Sequence, residues 1–470
     1  TVLSTVSQRL SMCRHIRHLA VVFISHGYRD RAVFYMLLSP ILNLGFGPLI
    51  VIAVGAYLDP DQQGVYYVFG SLLQLRSLID LGFSPSSQQL LANRFAELLL
   101  SHKEGTKGNE LERQQFLNLA KYICHMYVWL GLLTIAIVGL LGDHFLAQQL
   151  KNHPQLVWRG SWWVMISSVG LCNSMLGIVV VADGANQVAF TNKWRFWNEL
   201  SALASFVVVL VVGGGLWARA AMAAARLWLV VPILGGLGRA FLSQIAAANA
   251  KSVSFKKEIL PLQAPTMVVW GMGFLCYYAY NPLALKFLGP AFAGVVGMSL
   301  QIANMASSLA LVWYNTKLSK LGNLAGNHQH GEAMDLHTFG VKLSLIFWAI
   351  LAVGAWLITF LLKQYLPQFG TRIAPMWPMT LFLLGSGAFI WTHVRASYIR
   401  AFCIEMFAPP AIGQGIGTFV LLWLTLPHFG ILGAALTYFI MMLTGALWIE
   451  KCYRSFVGNG NSVLKINFFA

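Results

Sequence analysis

Charge is scarce in this chain. Only 10% of its 470 residues are Asp, Glu, Lys or Arg, and just 16 of those are acidic against 32 basic. Soluble domains carry roughly 25% charged residues. Here 57% of residues are hydrophobic and the mean hydropathy is +0.65, so a soluble globule of this length has too little polar surface to cover its core. Ten-residue alternating segments are also lacking, which excludes an outer-membrane barrel; the apolar runs are long and continuous, as in helical spans. The six cysteines, Cys13, Cys124, Cys172, Cys276, Cys403 and Cys452, include no C-x-x-C pair and supply neither a disulfide framework nor a metal site. His328 and His330 stand without acidic or thiol company, so no metal is expected. No nucleophile motif, Gly-rich phosphate loop or acidic cluster appears, so the chain reads as a non-enzyme without a cofactor. The basic N-terminus has no short apolar region ending in small residues and reads as uncleaved.

What the chain does have is span after span. Twelve are predicted, at 32–57, 64–83, 116–141, 159–181, 199–216, 219–245, 259–286, 291–314, 338–362, 374–397, 409–427 and 431–450. The net charge of +16 invites a nucleic-acid partner, but the basic residues form no soluble domain. They sort by side instead. With the N-terminus inside, 24 lie on the inner side and only six outside: Lys151, Arg159, Arg219, Lys286, Lys363 and Arg372. The positive-inside rule then places both termini in the cytoplasm and requires an even span count. Residues 1–31, with Arg9, Arg14 and Arg17 among apolar residues, read as an amphipathic segment on the cytoplasmic leaflet; a disordered basic tail is the alternative.

The halves of the chain echo each other. Leu58–Val65 reads LDPDQQGV and Leu288–Val295 reads LGPAFAGV, both L-x-P-x-x-x-G-V, with Gly64 and Gly294 separated by 230 residues. The same offset carries Ser71 and Gln74 onto Gln301 and Asn304. Six spans per half make the repeat parallel, about an axis along the membrane normal. The expected division is an N-terminal lobe at 32–250, a C-terminal lobe at 251–454 and a cytoplasmic tail at 455–470. The corresponding spans 1 and 7 are interrupted, by Pro40 and Pro48 in one and by Pro265 and Pro282 in the other. Such breaks at matching positions are hinge candidates and point to a substrate path, although packed kinks are common in membrane helices.

Ionisable residues inside spans are costly and mark function by default. Arg76 and Asp80 are spaced to lie on one face of span 2, either as a structural pair or as a substrate or coupling site. Arg226 lies two turns deeper than Arg219, which reads as snorkelling to the outer surface. Lys286 and Arg395 complete a cationic set with few carboxylates besides Asp80, suited to an anionic substrate. Tyr277 and Asn281, together with Gln301 and Asn304, are the polar cavity candidates; Tyr277, Tyr278 and Tyr280 also fit an interfacial aromatic belt.

The segments Glu258–Met305 and Tyr57–Glu97, with Gly64 and the Asp80-Leu81-Gly82 turn, resemble bacterial polysaccharide-biosynthesis flippases of the O-antigen type, in the multidrug/oligosaccharidyl-lipid/polysaccharide exporter superfamily. The resemblance covers about ninety residues. It implies an all-α polytopic fold with two six-helix lobes around a central cavity, as in the multidrug exporters. It also implies a lipid-linked oligosaccharide on polyprenyl pyrophosphate, flipped from the cytoplasmic to the outer leaflet of the bacterial inner membrane. The partners are then that glycan, membrane lipids and glycan-assembly proteins, with the chain as a monomer and a proton or Na+ as the coupling ion. Two competing functions remain. One is a cation-coupled exporter of small organic molecules, which buried acidic residues would favour. The other is a membrane glycan polymerase or ligase, which would need a large outer loop that this sequence lacks.

Overall fold

The computed structural model describes residues 46–458 except 96–97, 102–104, 250–252, 256–259, 328 and 403–406. The segment 1–31, Pro40 and most of the expected tail lie outside the described residues. What is described is almost wholly helical, and each expected span overlaps a helix. Seven helices among the described residues are long and apolar enough to cross a membrane on their own. The chain is a multi-pass membrane protein.

Helix α1 (Phe46–Tyr57) leads into α2 (Pro60–Leu73). Asp59 caps α2, its carboxylate accepting from the Gln62 amide at 2.8 Å, and Pro60 occupies the first turn. Proline is favoured there because its missing N–H has no intrahelical partner anyway. The helix tightens into a 3-10 turn at Gln74–Arg76, continues through Ser77–Asp80, and stops where Leu81 and Gly82 both adopt positive φ. The inner loop that follows is more ordered than the sequence indicated: α3 (Phe83–Phe95) precedes a short hairpin, Leu99–Ser101 against Gly105–Lys107.

Three longer helices complete most of the first half: α4 (Glu110–Leu133), extended by a π-turn at Thr134–Val138, α5 (Arg159–Gly184) and α6 (Val188–Val211). Next, α7 (Trp217–Ala224) passes through a 3-10 stretch, Ala225–Leu229, into Val230–Leu237. Gly238, at φ 81°, ends it and starts α8 (Arg239–Ala247). The second half opens with α9 (Leu260–Tyr278), which breaks at Ala279 into α10 (Tyr280–Leu288). Pro282 sits in the first turn of α10 and so belongs to a real interruption. Pro265 lies inside α9, which runs through it unbroken, while Pro48 is the third residue of the described part of α1, and the residues of its span before Phe46 lie outside the described ones.

Gly289 then takes φ 87° and Pro290 starts α11 (Pro290–Thr316), repeating the start of α2. The chain continues through α12 (Leu318–Gly326), α13 (His330–Tyr365), α14 (Pro367–Gly370) and α15 (Met376–Ala401). Residues Ala408–Gly458 follow as one long helical stretch, α16, kinked at Gly430 (φ 55°, ψ −130°). Only glycine adopts that conformation easily, and it separates the last two expected spans where the sequence placed their junction.

The repeat motifs meet in space. Where α2 crosses α11, a Cβ on Gly64 would stand 1.8 Å from the Pro290 carbonyl oxygen, and one on Gly294 would stand 3.0 Å from the Gly64 nitrogen. The glycines are therefore what lets the two halves touch backbone to backbone. Polar links surround the crossing. The buried Gln63 donates to the carbonyls of Gly294 at 3.0 Å and Arg372 at 3.3 Å, and Arg372 donates to the Leu58 carbonyl. One apolar core runs through this contact from Val65, Tyr66 and Phe69 to Tyr280, Ala293 and Val296. The two lobes are thus sealed against each other at the end that carries Pro60 and Pro290.

Candidate functional site

Beyond that seal the lobes diverge around a central cavity of about 370 Å³. The first half contributes Ser71, Gln74, Arg76, Arg219 and Arg226; the second contributes Tyr277, Tyr278, Asn281, Gln301 and Asn304. The two polar pairs related by the 230-residue offset thus face one another across the same space. Asn281, just past the break in the seventh span, donates to Ser71 Oγ at 2.9 Å. Tyr438 donates to Asn304 at 3.4 Å. Tyr280, by contrast, is buried edge-on against Tyr438 and does not reach the cavity.

Two of the three arginines in this cavity come from 3-10 turns inside spans, Arg76 from Gln74–Arg76 and Arg226 from Ala225–Leu229, while Arg219 lies in α7. A 3-10 turn within a helix often marks a functional site. Arg76 is exposed to the cavity and forms no hydrogen bond or ion pair with the described residues. Arg219 lies 4.4 Å over the Tyr66 ring, close to Gly70. It therefore reaches inward, contrary to its expected place at the outer surface. Arg226 is engaged by Glu199 in a two-pronged pair, Nε to Oε1 at 3.2 Å and Nη2 to Oε2 at 2.8 Å. A second cavity of about 460 Å³, inside the first lobe, shares Arg76, Cys172 and Arg226 with the central one. It adds Arg195, Asn198 and Glu199 to the lining. Behind it the buried Asp183 accepts from Thr191 at 2.5 Å and from Arg195 at 2.6 Å.

Glu199 and Asp183 are the acidic groups that sequence reasoning missed. Asp183 fell two residues beyond the predicted span 159–181, and Glu199 stood at the first residue of the predicted span 199–216. In the structure α6 starts at Val188, so Arg195 and Glu199 lie a full turn or more inside it. Their i,i+4 spacing was the available signal.

Three expected site residues are elsewhere. Asp80 does not line the cavity and does not pair with Arg76. The 3-10 turn changes the helical register between them, and Asp80 ends its helix one residue before Leu81 turns left-handed. Lys286 is exposed on α10 and rests on the outside of the second lobe, its ammonium 4.0 Å over the Trp423 ring. Arg395 is held inside the second lobe. It pairs with Glu450 at 3.2 Å, lies 3.8 Å over the Tyr453 ring and donates to His337 Nε2 at 2.9 Å. An arginine can only donate, so that nitrogen accepts and the proton of the neutral ring sits on Nδ1. Nδ1 then donates to Tyr314, 2.8 Å away, which donates to the Val394 carbonyl at 2.9 Å. This is a tie between helices.

Arg395→Ala is accordingly expected to lower stability rather than transport specificity. Removing one member of a mostly buried pair costs about 3–5 kcal/mol, and a drop in melting temperature and yield in detergent would register it. A variant with wild-type melting and impaired transport would instead place Arg395 on the substrate path.

No protein-family profile matches the chain, and no curated protein matches it in sequence. Solved structures do match in fold. An inward-facing multidrug-resistance MATE transporter of the MOP superfamily aligns over 91% of this chain and 99% of its own, with TM-score 0.62 and 12% identity. The lipid II flippase MurJ, in an inward closed conformation, aligns over 90% and 87%, with TM-score 0.63 and 10% identity. A mutant of the Vibrio cholerae MATE transporter VcmN aligns over 91% and 96%, with TM-score 0.55 and 12% identity. The chain therefore has the all-α, two-lobed fold of MOP-superfamily transporters.

Proposed function

We propose that this protein is a flippase for a lipid-linked oligosaccharide, carrying a polyprenyl-pyrophosphate headgroup from the cytoplasmic to the outer leaflet of the bacterial inner membrane by alternating access. The observation that carries this reading is Arg76, an arginine with no hydrogen bond or ion pair to the described residues, in a cavity between the lobes that also holds Arg219 and Arg226. An anionic headgroup crossing roughly 30 Å of hydrocarbon must have its water shell replaced. Guanidinium groups do this for phosphate through paired hydrogen bonds while keeping their charge at any physiological pH. The tyrosines and amides opposite them suit a sugar. The lobes, 32–250 and 251–454, would rock about the Gly64–Gly294 contact, with a proton or Na+ as coupling ion. The protein would act as a monomer beside glycan-assembly partners, both termini in the cytoplasm.

Export of small organic cations is less well supported. The two carboxylates that could attract a cation, Glu199 and Asp183, are each held by an arginine. Binding to the purified protein separates the readings. A prenyl pyrophosphate should bind saturably and lose affinity as salt is raised, whereas a lipophilic cation should not compete with it. Saturable cation binding with no pyrophosphate binding would overturn the proposal.

A further inference from the structure

Of the three arginines that line the central cavity, Arg226 alone is occupied by a carboxylate among the described residues. Its two bonds to Glu199 use the same fork of N–H groups that a phosphate would use. The backbone around it is fixed independently of that pair: Asn198 donates to the Arg226 carbonyl at 3.0 Å, and Trp228 donates to Ser201 at 2.7 Å. The turn can therefore stay in place while the guanidinium swings. Both partners are partly open, with side-chain exposures of 36% for Arg226 and 28% for Glu199, and both line the cavity that shares Arg76 and Cys172 with the central one.

We propose that Glu199 is a built-in counter-anion for Arg226 and that an incoming anionic headgroup displaces it from the guanidinium. This rests on the flippase reading and adds how its site is regulated. The groups around Glu199 decide the outcome. Arg226 faces it from the neighbouring span. Arg76 faces the same cavity from span 2, Cys172 and Asn173 from α5, and Arg195 and Asn198 from its own helix. Arg195 is committed to Asp183, and Arg76 and Arg226 turn to the phosphate. No cation among these is left for Glu199, and a polyanion stands beside it. The carboxylate therefore opposes loading by its charge, and an empty cavity keeps a smaller net charge than its arginines alone would give.

The test is calorimetric titration of the full-length protein in detergent with a short-chain prenyl pyrophosphate. Glu199→Gln, nearly isosteric and without the competing charge, should bind about five-fold more tightly than wild type. Glu199→Asp, which keeps the charge, should bind less tightly than Glu199→Gln, and equal melting temperatures would show that all three are folded. Equal or weaker binding by Glu199→Gln than by wild type would overturn the inference while leaving the pyrophosphate site standing. Failure of the probe to bind any variant would remove both.

Discussion

Arg76→Ala is expected to reduce flipping of the lipid-linked substrate by about 10- to 100-fold, since a hydrogen bond to a charged group contributes about 1.5–3 kcal/mol. The protein should nonetheless fold normally. The guanidinium makes no hydrogen bond or ion pair with the described residues, so its removal strands no partner among them. In particular it breaks no ion pair with Asp80, which the sequence had suggested as its mate. Arg76→Ala and Arg76→Ala/Asp80→Ala should therefore give the same yield and the same transport loss. Arg76→Lys should restore transport only in part, because a single ammonium cannot grip a phosphate with a planar fork. Normal transport by well-folded Arg76→Ala would remove the residue from the path.

Gly64→Val is expected to abolish transport by a different route. A Cβ at position 64 would lie 1.8 Å from the Pro290 carbonyl oxygen, a backbone atom that no side-chain rotation can move aside. The lobes then cannot close at that end, and the Gln63 and Arg372 links across the contact are lost with it. The substitution should leave each lobe folded but hold the cavity open toward the Pro60 side. A cysteine at Gln74, which lines the cavity, should become reactive to a membrane-impermeant reagent applied from outside. Gly294→Ala should act in the same direction but more weakly, since its added Cβ meets its neighbours at 3.0–3.3 Å. Unchanged reactivity and transport in Gly64→Val would show that this contact is not a gate.

The site was legible in the sequence where repetition revealed it. The offset linking Gly64 with Gly294 set the two glycines at equivalent positions of the halves, and Gln301 and Asn304 were named as cavity candidates, but the sequence left open whether the Ser71 and Gln74 face or the Arg76 face of span 2 lines the cavity. Local helical geometry was a poorer guide. Treating span 2 as a regular helix paired Arg76 with Asp80, but the 3-10 turn at Gln74–Arg76 changes the register between them. Arg219 was read from its depth alone, which cannot show that a side chain reaches across Gly70 to the Tyr66 ring. Arg395 and Lys286 were judged by charge; what they touch, Glu450 and His337 in one case and Trp423 in the other, depends on helices far away in sequence. Glu199 was missed because it stood at the first residue of a predicted span, 199–216, whereas the helix that presents it to Arg226 starts at Val188.

The central claim is that the cavity between the lobes conducts an anionic lipid-linked headgroup. Its most direct test is purified protein in sealed vesicles containing a fluorescent polyprenyl-pyrophosphate oligosaccharide, with the outer-leaflet fraction read by a membrane-impermeant quencher over time. The account predicts protein-dependent exchange between leaflets that falls by at least about ten-fold with Arg76→Ala and is absent with Gly64→Val. Exchange no faster than in protein-free vesicles, from protein that moves an organic cation under the same conditions, would contradict it.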